Sequence, residues 1–385
     1  MATRSEAPEV PCRAVVQSAV EQSKKVIVKD LIELSVRGLG PMYDAEKRLF
    51  CYSRVQRDGR LKQEGLSPRY TIMTLLGLIE LEKAGGKSPF DIDAILAGLL
   101  ANQSWPDSAG DFGLLAWLTA IRAPENLPSL FARFYVPSAL EKYQDTRHGC
   151  TMQMAWLLTG LSYLVLAGQG NIPGVEDLAR ETYEALIENQ GNEGFFGHLH
   201  CGKTAVGQLR GWVGSFADQV YPILALTRYS QAFDSSDALD RASLTARGIC
   251  RVQGPLGQWW WHYDSREGRI ASMYPVFSVH QEAMGPMALF PLGEATGQDF
   301  TQNIYRGLEW ISDANETGKD MRNFSENLVW RNVHPLFEFS MKIDVIMSHL
   351  RIYRDASKRR MGVLYECRPY ELGWLLYAFS SRQDL

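Results

Sequence analysis

The chain has 385 residues, 45% of them hydrophobic and 22% charged, with a formal net charge of −4. That is the make-up of a globular protein, and it leaves no basic stripe for a phosphate backbone, so nucleic acid is excluded as a partner. No apolar run approaches the roughly 20 residues needed to cross a bilayer.

In chain order, residues 1–24 have no apolar centre and read as a tail ahead of a single domain over residues 25–385. The domain repeats one unit: a helix, a turn carrying Gly and an aromatic residue, a loop, and a second, more apolar helix. The first unit offers VKDLIELSVRGLG, the turn RVQRDGRL and SPRYTIMTLLGLIELEKAGG. The second is DIDAILAGLLANQSWPDSAGDFGLLAWLTAI, and the third pairs LPSLFARFYVPSAL with HGCTMQMAWLLTGLSYLVLAGQG. The fourth runs from LARETYEALIENQGNEGFF to SFADQVYPILALTRYSQAF, and the fifth from ASLTARGIC through GQWWWHYD to a helix ending at Gly297. The sixth starts near FTQNIYRGLEWI, carries an inserted helical stretch around HPLFEFSMKIDVIMSHLRIY, and ends on CRPYELGWLLYAFS. Strand-like alternation is nearly absent.

First helices such as LARETYEALIEN space their charges along one face and belong next to solvent. Second helices such as ELGWLLYAF are apolar nearly all round and belong inside. An all-α ring of six hairpins, an (α/α)6 toroid with buried helices inside amphipathic ones, satisfies both patterns. Such units cannot bury their apolar faces alone, so they need neighbours. Closure would aim the amino-terminal ends of the inner helices, with unpaired N–H groups and positive partial charge, into one cup.

The turns resemble the glutamine–tryptophan repeat of the terpenoid cyclase and protein prenyltransferase toroids: Gln253, Gly257 and Trp259, then Gln190, Gly194 and Phe196, with looser copies at Gln56/Gly59 and Gln103/Gly110/Phe112. The inner-helix string ADQVYPILALTRY and the string GQWWWHYD are similar to those of six-hairpin glycosidases, unsaturated-uronyl hydrolases and sugar epimerases. These resemblances imply architecture rather than chemistry. The D-x-D-D acid motif of isoprenoid cyclases is missing; its nearest counterpart, Asp91-Ile92-Asp93-Ala94, opens an outer helix, where Asp91 is better explained as a cap. The D-D-x-x-D motif is absent, and no Asp, Cys and His set for a prenyltransferase zinc can be aligned.

Residues at the inner-helix starts are the site candidates. Asp111 and Asp218 are favoured for acid–base work, with Glu371 able to stand in and His280 assisting; Glu282 is a further acid. Tyr70, His148, Gln219, Trp260, His262, Asp264, Gln281, Arg368 and Tyr370 are the candidate binding residues, and Arg69, Asp107, Arg147, Trp259 and Trp261 stand beside them. Carboxylates, histidines and arginines among tryptophans suit a polar ring-shaped ligand, since aromatic faces stack on sugars and arginine reads an acid group bidentately. Hydrolysis needs two carboxyl groups across the scissile bond. Epimerisation or elimination of a uronate needs a base such as His280 or Tyr370 and a cation such as Arg368.

The expected function is an enzyme handling a saccharide or uronate-containing glycan in the cup. The alternatives are an isoprenoid cyclase of the same toroid superfamily and a non-catalytic binding toroid. No cofactor is demanded. His198, His200 and Cys201 form H-x-H-C, which could seed a zinc site but lacks a second paired motif. The six cysteines, Cys12, Cys51, Cys150, Cys201, Cys250 and Cys367, contain no C-x-x-C pair, which points to reduced thiols and a cytoplasmic location.

Overall fold

A computed structural model describes residues 28–102, 105–106, 108–133, 150–199, 211–336, 347 and 359–383. The helices alternate between two roles. The first pair is α1 (residues 28–39) and α2 (Pro68–Lys83), followed by α3 (Ile92–Ala101) with α4 (Ala109–Arg122) and α5 (Leu127–Arg133) with α6 (Thr151–Leu166). Then come α7 (Val175–Ile187) with α8 (Ala217–Phe233), α9 (Ser236–Arg251) with α10 (Gly285–Thr296), and α11 (Thr301–Ser312) with α12 (Pro369–Phe379).

The odd-numbered helices bury one stripe. In α9 that stripe is Ala238, Ala242, Ala246 and Ile249, at helical spacing, with charges elsewhere. The even-numbered helices are enclosed: every residue of α4 from Gly110 to Ala120 is buried, as is every residue of α12 from Glu371 to Phe379. Each inner helix packs on the next, α2 on α4, α4 on α6, α6 on α8, α8 on α10 and α10 on α12, and α12 returns to α2. The ring is therefore closed, and the expected (α/α)6 toroid is what the chain forms.

Closure depends on glycine where backbones touch. A Cβ added at Gly77 of α2 would lie 1.9 Å from the Gly373 carbonyl oxygen of α12, and one at Gly160 of α6 would lie 2.2 Å from that of Gly113 in α4. No rotamer relieves a backbone clash, so Gly77→Ala is expected to push α2 and α12 apart and cost about 3 kcal/mol. Gly98→Ala, on exposed α3 with nothing within 4 Å of its added Cβ, is expected instead to stabilise by about 0.5–1 kcal/mol. Urea midpoints at unchanged m-value compare the two, and equal effects would refute the packing account.

The turns repeat one hydrogen-bond device. The Gln253 side chain donates to the Gly257 carbonyl (2.8 Å) and across to Asn303 of α11 (2.9 Å), while Gln190 donates to Gly194 (3.3 Å) and to Arg241 of α9 (3.0 Å). Each glutamine ties its own turn to the next outer helix. Both turns need left-handed backbone, with φ of +94° at Gly257 and +91° at Gly194. Asp91 caps α3 by accepting from the Ala94 N–H at 3.0 Å, as expected of a cap.

Strands are more frequent than the sequence reading allowed. A hairpin of Leu49–Arg57 and Arg60–Leu66 stands between α1 and α2, and short pairings join Val213–Ser215, His262–Asp264 and Arg269–Ser272. The missed signal is Asp58-Gly59, both at positive φ, a two-residue hairpin turn that had been read as a simple helix–helix connection. The expected tail and most of the helical stretch expected over residues 334–353 lie outside the described residues; the strand Asn332–Pro335 takes up its first two positions.

Candidate active site

A cavity of about 260 Å³ opens among the amino-terminal turns of the inner helices. Arg69, Tyr70 and Met73 come from α2, Met152 and Trp156 from α6, Ala217 and Tyr221 from α8, and Tyr370 from α12. His280 and Met284 come from a π-helical turn, His280–Met284, that leads into α10. Such turns recur at functional sites because they re-aim side chains that a regular helix would bury elsewhere. Ser215, Trp261, Phe277 and Arg331 complete the wall from the connecting loops.

The charges in this wall are arginines, each held from behind. Arg69 is clamped bidentately by Asp111, with Nε–Oδ1 at 2.5 Å and Nη2–Oδ2 at 2.8 Å. Asp111 is itself fixed at the start of α4, where its N–H donates to Ser108 Oγ (3.2 Å) and its Oδ2 accepts from that hydroxyl (2.9 Å). Arg331 stands 2.5 Å from Glu371 Oε1 and lies over the Phe277 ring, 5.0 Å from its centroid. The other Glu371 oxygen accepts the Arg368 N–H at 3.0 Å, capping α12. Arg368 pairs with Glu366 (2.6 Å) and donates to the Tyr70 hydroxyl (2.8 Å), so it steadies a cup tyrosine without lining the cup. Asp111 and Glu371 thus serve as anchors behind the wall. Among the described residues, no carboxylate lines the cavity.

His280 is the wall's titratable group. It is 5% exposed, packs on Phe216 (4.6 Å between ring centroids) and Phe277 (5.1 Å), and its Nδ1 has no hydrogen-bond partner among the described residues. Burial, reinforced by the Arg331 charge, lowers its pKa to about 3, so the imidazole is neutral at ordinary pH. Burial pushes Tyr370 and Tyr221 up, so both keep their protons. Tyr370 packs on Tyr70 at 4.6 Å, and Tyr221 accepts from Trp374 Nε1 at 2.9 Å.

Several candidates are placed elsewhere. Gln219 and Gln281 are fully buried clamps in equivalent positions: Gln219 accepts the Phe196 N–H (2.8 Å) and Gln281 the Trp259 N–H (3.0 Å), locking each turn onto the following inner helix. Asp218, also fully buried, accepts from the Ser215 N–H and hydroxyl (both 2.8 Å) and the Met152 N–H (3.2 Å), just behind the wall. Asp264 shapes a turn by accepting the Arg266 N–H at 2.9 Å. Trp260 points away and donates to the Val252 carbonyl (2.9 Å); His262 bonds Ser272 on a strand. Glu282 lies off the cavity, and burial with nearby Glu371 pushes its pKa well up, making it a neutral acid in the core. Of the candidate set, Tyr70, His280 and Tyr370 do line the cup, while His148 lies outside the described residues.

Reading the sequence missed Trp156, Tyr221 and Arg331. The first two follow Met152 and Ala217 by four residues, so a search one turn deeper along each inner helix would have found them. Of the three tryptophans named from the sequence, Trp259, Trp260 and Trp261, it is Trp261 that lines the cup. Arg331 lies in the least regular unit and carries no local signal.

No family model matches the chain, and no curated protein resembles it in sequence. Solved structures do match across nearly the whole length. An unsaturated glucuronyl hydrolase specific for heparin aligns at 13% identity over 92% of this chain and 95% of its own, with a TM-score of 0.56. Glycosyl hydrolase family 88 from Bacteroides vulgatus aligns at 10% identity over 93% and 99%, TM-score 0.56. Unsaturated glucuronyl hydrolase from Bacillus sp. GL1 aligns at 13% over 92% and 95%, TM-score 0.52. The fold is the six-hairpin α/α toroid of these proteins. At such identities the likeness concerns the fold, and the chemistry must be argued from the cup.

Proposed function

We propose that the cup binds a uronate-containing saccharide and moves a proton at the ring carbon beside its carboxylate, giving elimination or epimerisation. The observation that carries this reading is the pair of arginines, Arg69 and Arg331, mounted in an aromatic wall and oriented by buried carboxylates. A guanidinium so fixed holds its positive charge toward the cup, where a second anion can meet it, and sugar rings pack on faces such as those of Trp156 and Trp261. Hydrocarbon substrates have no use for two cations in the wall, which weighs against the isoprenoid alternative, and a real cavity weighs against a purely structural charge network. The toroid neighbours are named for unsaturated glucuronyl groups, again anionic sugars.

The proton inventory fits as well. The arginines neutralise the substrate carboxylate, so negative charge can build on it as the C–H bond breaks. Neutral His280 takes that proton at Nδ1. In elimination the electron pair forms the new double bond and expels the neighbouring oxygen, protonated by a tyrosine hydroxyl such as Tyr370; in epimerisation the tyrosine returns a proton to the opposite face. A carboxylate arriving next to Arg331 offsets the charge that depresses His280, so substrate binding raises the base toward working range.

A second reading, hydration of an already unsaturated uronyl group, follows from the neighbours' names and uses the same anion site with proton donation first. Incubating the protein in D2O with polyuronates, glycosaminoglycan oligosaccharides and their unsaturated derivatives separates the cases. New ultraviolet absorbance of an unsaturated acid, or deuterium gained at the acid-bearing carbon, supports proton abstraction. Loss of existing absorbance supports hydration, and turnover of neutral glycans alone overturns both.

A further inference from the structure

We propose that Cys150, His198 and Asp218 form a binding site for a zinc-class divalent ion in the wall between α6 and α8. The inference is independent of the reaction assigned to the cup. One ligand atom from each of the three residues lies within 4.8 Å of the others. Cys150 precedes the first residue of α6 and is a free thiol, His198 lies in the loop after α7, and Asp218 stands in the first turn of α8. The His198 Nδ1 to Asp218 Oδ2 separation is already 2.9 Å. Two ligands about 2.0 Å from one tetrahedral ion stand about 3.3 Å apart, so the metal would replace the proton now shared by this pair, with the thiol moving in by about 1 Å.

Electrostatics supplies a second argument. Asp218 is a fully buried carboxylate, and among the described residues no lysine or arginine nitrogen lies within 4.0 Å of it; its partners are neutral donors and His198. A dication bound here deprotonates a coordinating thiol outright: the S–H bond yields its proton to solvent and a metal–sulfur bond forms. Sulfur, nitrogen and oxygen donors together select zinc over magnesium or calcium. Three protein ligands leave a fourth position, and the His198 side chain, 42% exposed, admits water there.

The H-x-H-C string points to His198 with His200 and Cys201, and the last two lie outside the described residues; the fold brings His198 to Cys150 of the preceding hairpin and to Asp218 of its own. Met152 and Ser215 both bond Asp218 and both line the cavity, so the ion would stiffen one wall of the cup.

The test uses the full chain, stripped with chelator and titrated with Zn2+ and Co2+. One zinc per chain after dialysis, and with cobalt a thiolate charge-transfer band plus tetrahedral visible absorption, are expected. Cys150→Ser and His198→Gln are each expected to lose stoichiometric binding and the charge-transfer band, while Cys250→Ser keeps both. Wild type showing neither zinc retention nor a thiolate–cobalt band overturns the proposal, as does Cys150→Ser binding cobalt like wild type with the protein still folded by circular dichroism.

Discussion

Arg331→Lys is expected to lower kcat/KM on a uronate substrate by about a hundredfold or more while the chain still folds. Lysine keeps the charge that Glu371 needs but is a single point on a flexible stem, so it cannot hold Glu371 behind the wall and the substrate carboxylate in front at once. Losing that bidentate geometry is worth about 3 kcal/mol, two decades in rate. Arg331→Gln has a different outcome. It leaves Glu371 buried without its cation and is expected to destabilise the fold by about 3–5 kcal/mol, less whatever Glu371 recovers by taking up a proton. Steady-state kinetics beside urea midpoints separate the two. Undiminished uronate turnover by Arg331→Lys would remove the anion site from the mechanism.

His280→Phe carries the second large effect, with two readouts. Turnover is expected to fall by about a thousandfold, the usual worth of a positioned base. Stability is expected to respond in the opposite direction at low pH. The native imidazole has its pKa lowered from 6.5 to about 3, so between those values the unfolded chain binds a proton that the folded one refuses. Stability linked to His280 is therefore intact above pH 6.5 and drains as pH falls toward 3, by about 3 kcal/mol at pH 4. Phenylalanine has no such cost. Glu282 and Glu371, whose pKa values are raised, titrate with the reverse sign, but they are common to both proteins and cancel in the difference. A wild-type-minus-variant stability difference that stays flat from pH 7 to pH 4 would show that His280 is not held neutral.

The ring was legible because its physics is local and repeated. Helices apolar all round, such as ELGWLLYAF, can only be inside, and glutamines placed ahead of Gly-x-aromatic turns mark the fourth and fifth hairpins, with looser copies in the first two. The cup was legible only to the level of which helix ends face it. A residue in the first turn of an inner helix points inward or sideways within one step of sequence, and that step decides its role. Asp111 and Glu371 turn sideways to become anchors for arginines, and the pattern offers nothing to distinguish an anchor from a catalyst. Gln219 and Gln281 misled for the opposite reason: they belong to the repeat itself, recurring at the start of the inner helical segment that follows the turns of Gln190 and Gln253. Arg331 was invisible because its position is set by strand pairing between Asn332–Pro335 and its partners, a long-range event that no local period announces.

The contact of Gly77 with Gly373 joins the earliest and the latest inner helices of the described chain. While the polypeptide is being made, the arc from α2 to α10 has a bare apolar flank that nothing upstream can cover, and Arg331 waits for Glu371. Wall and closure arrive together when α12 docks, so a nascent or clipped chain lacking that helix is both sticky and inert. Proteolysis between Arg331 and α12 would consequently silence the protein at a stroke, without touching His280 or either arginine.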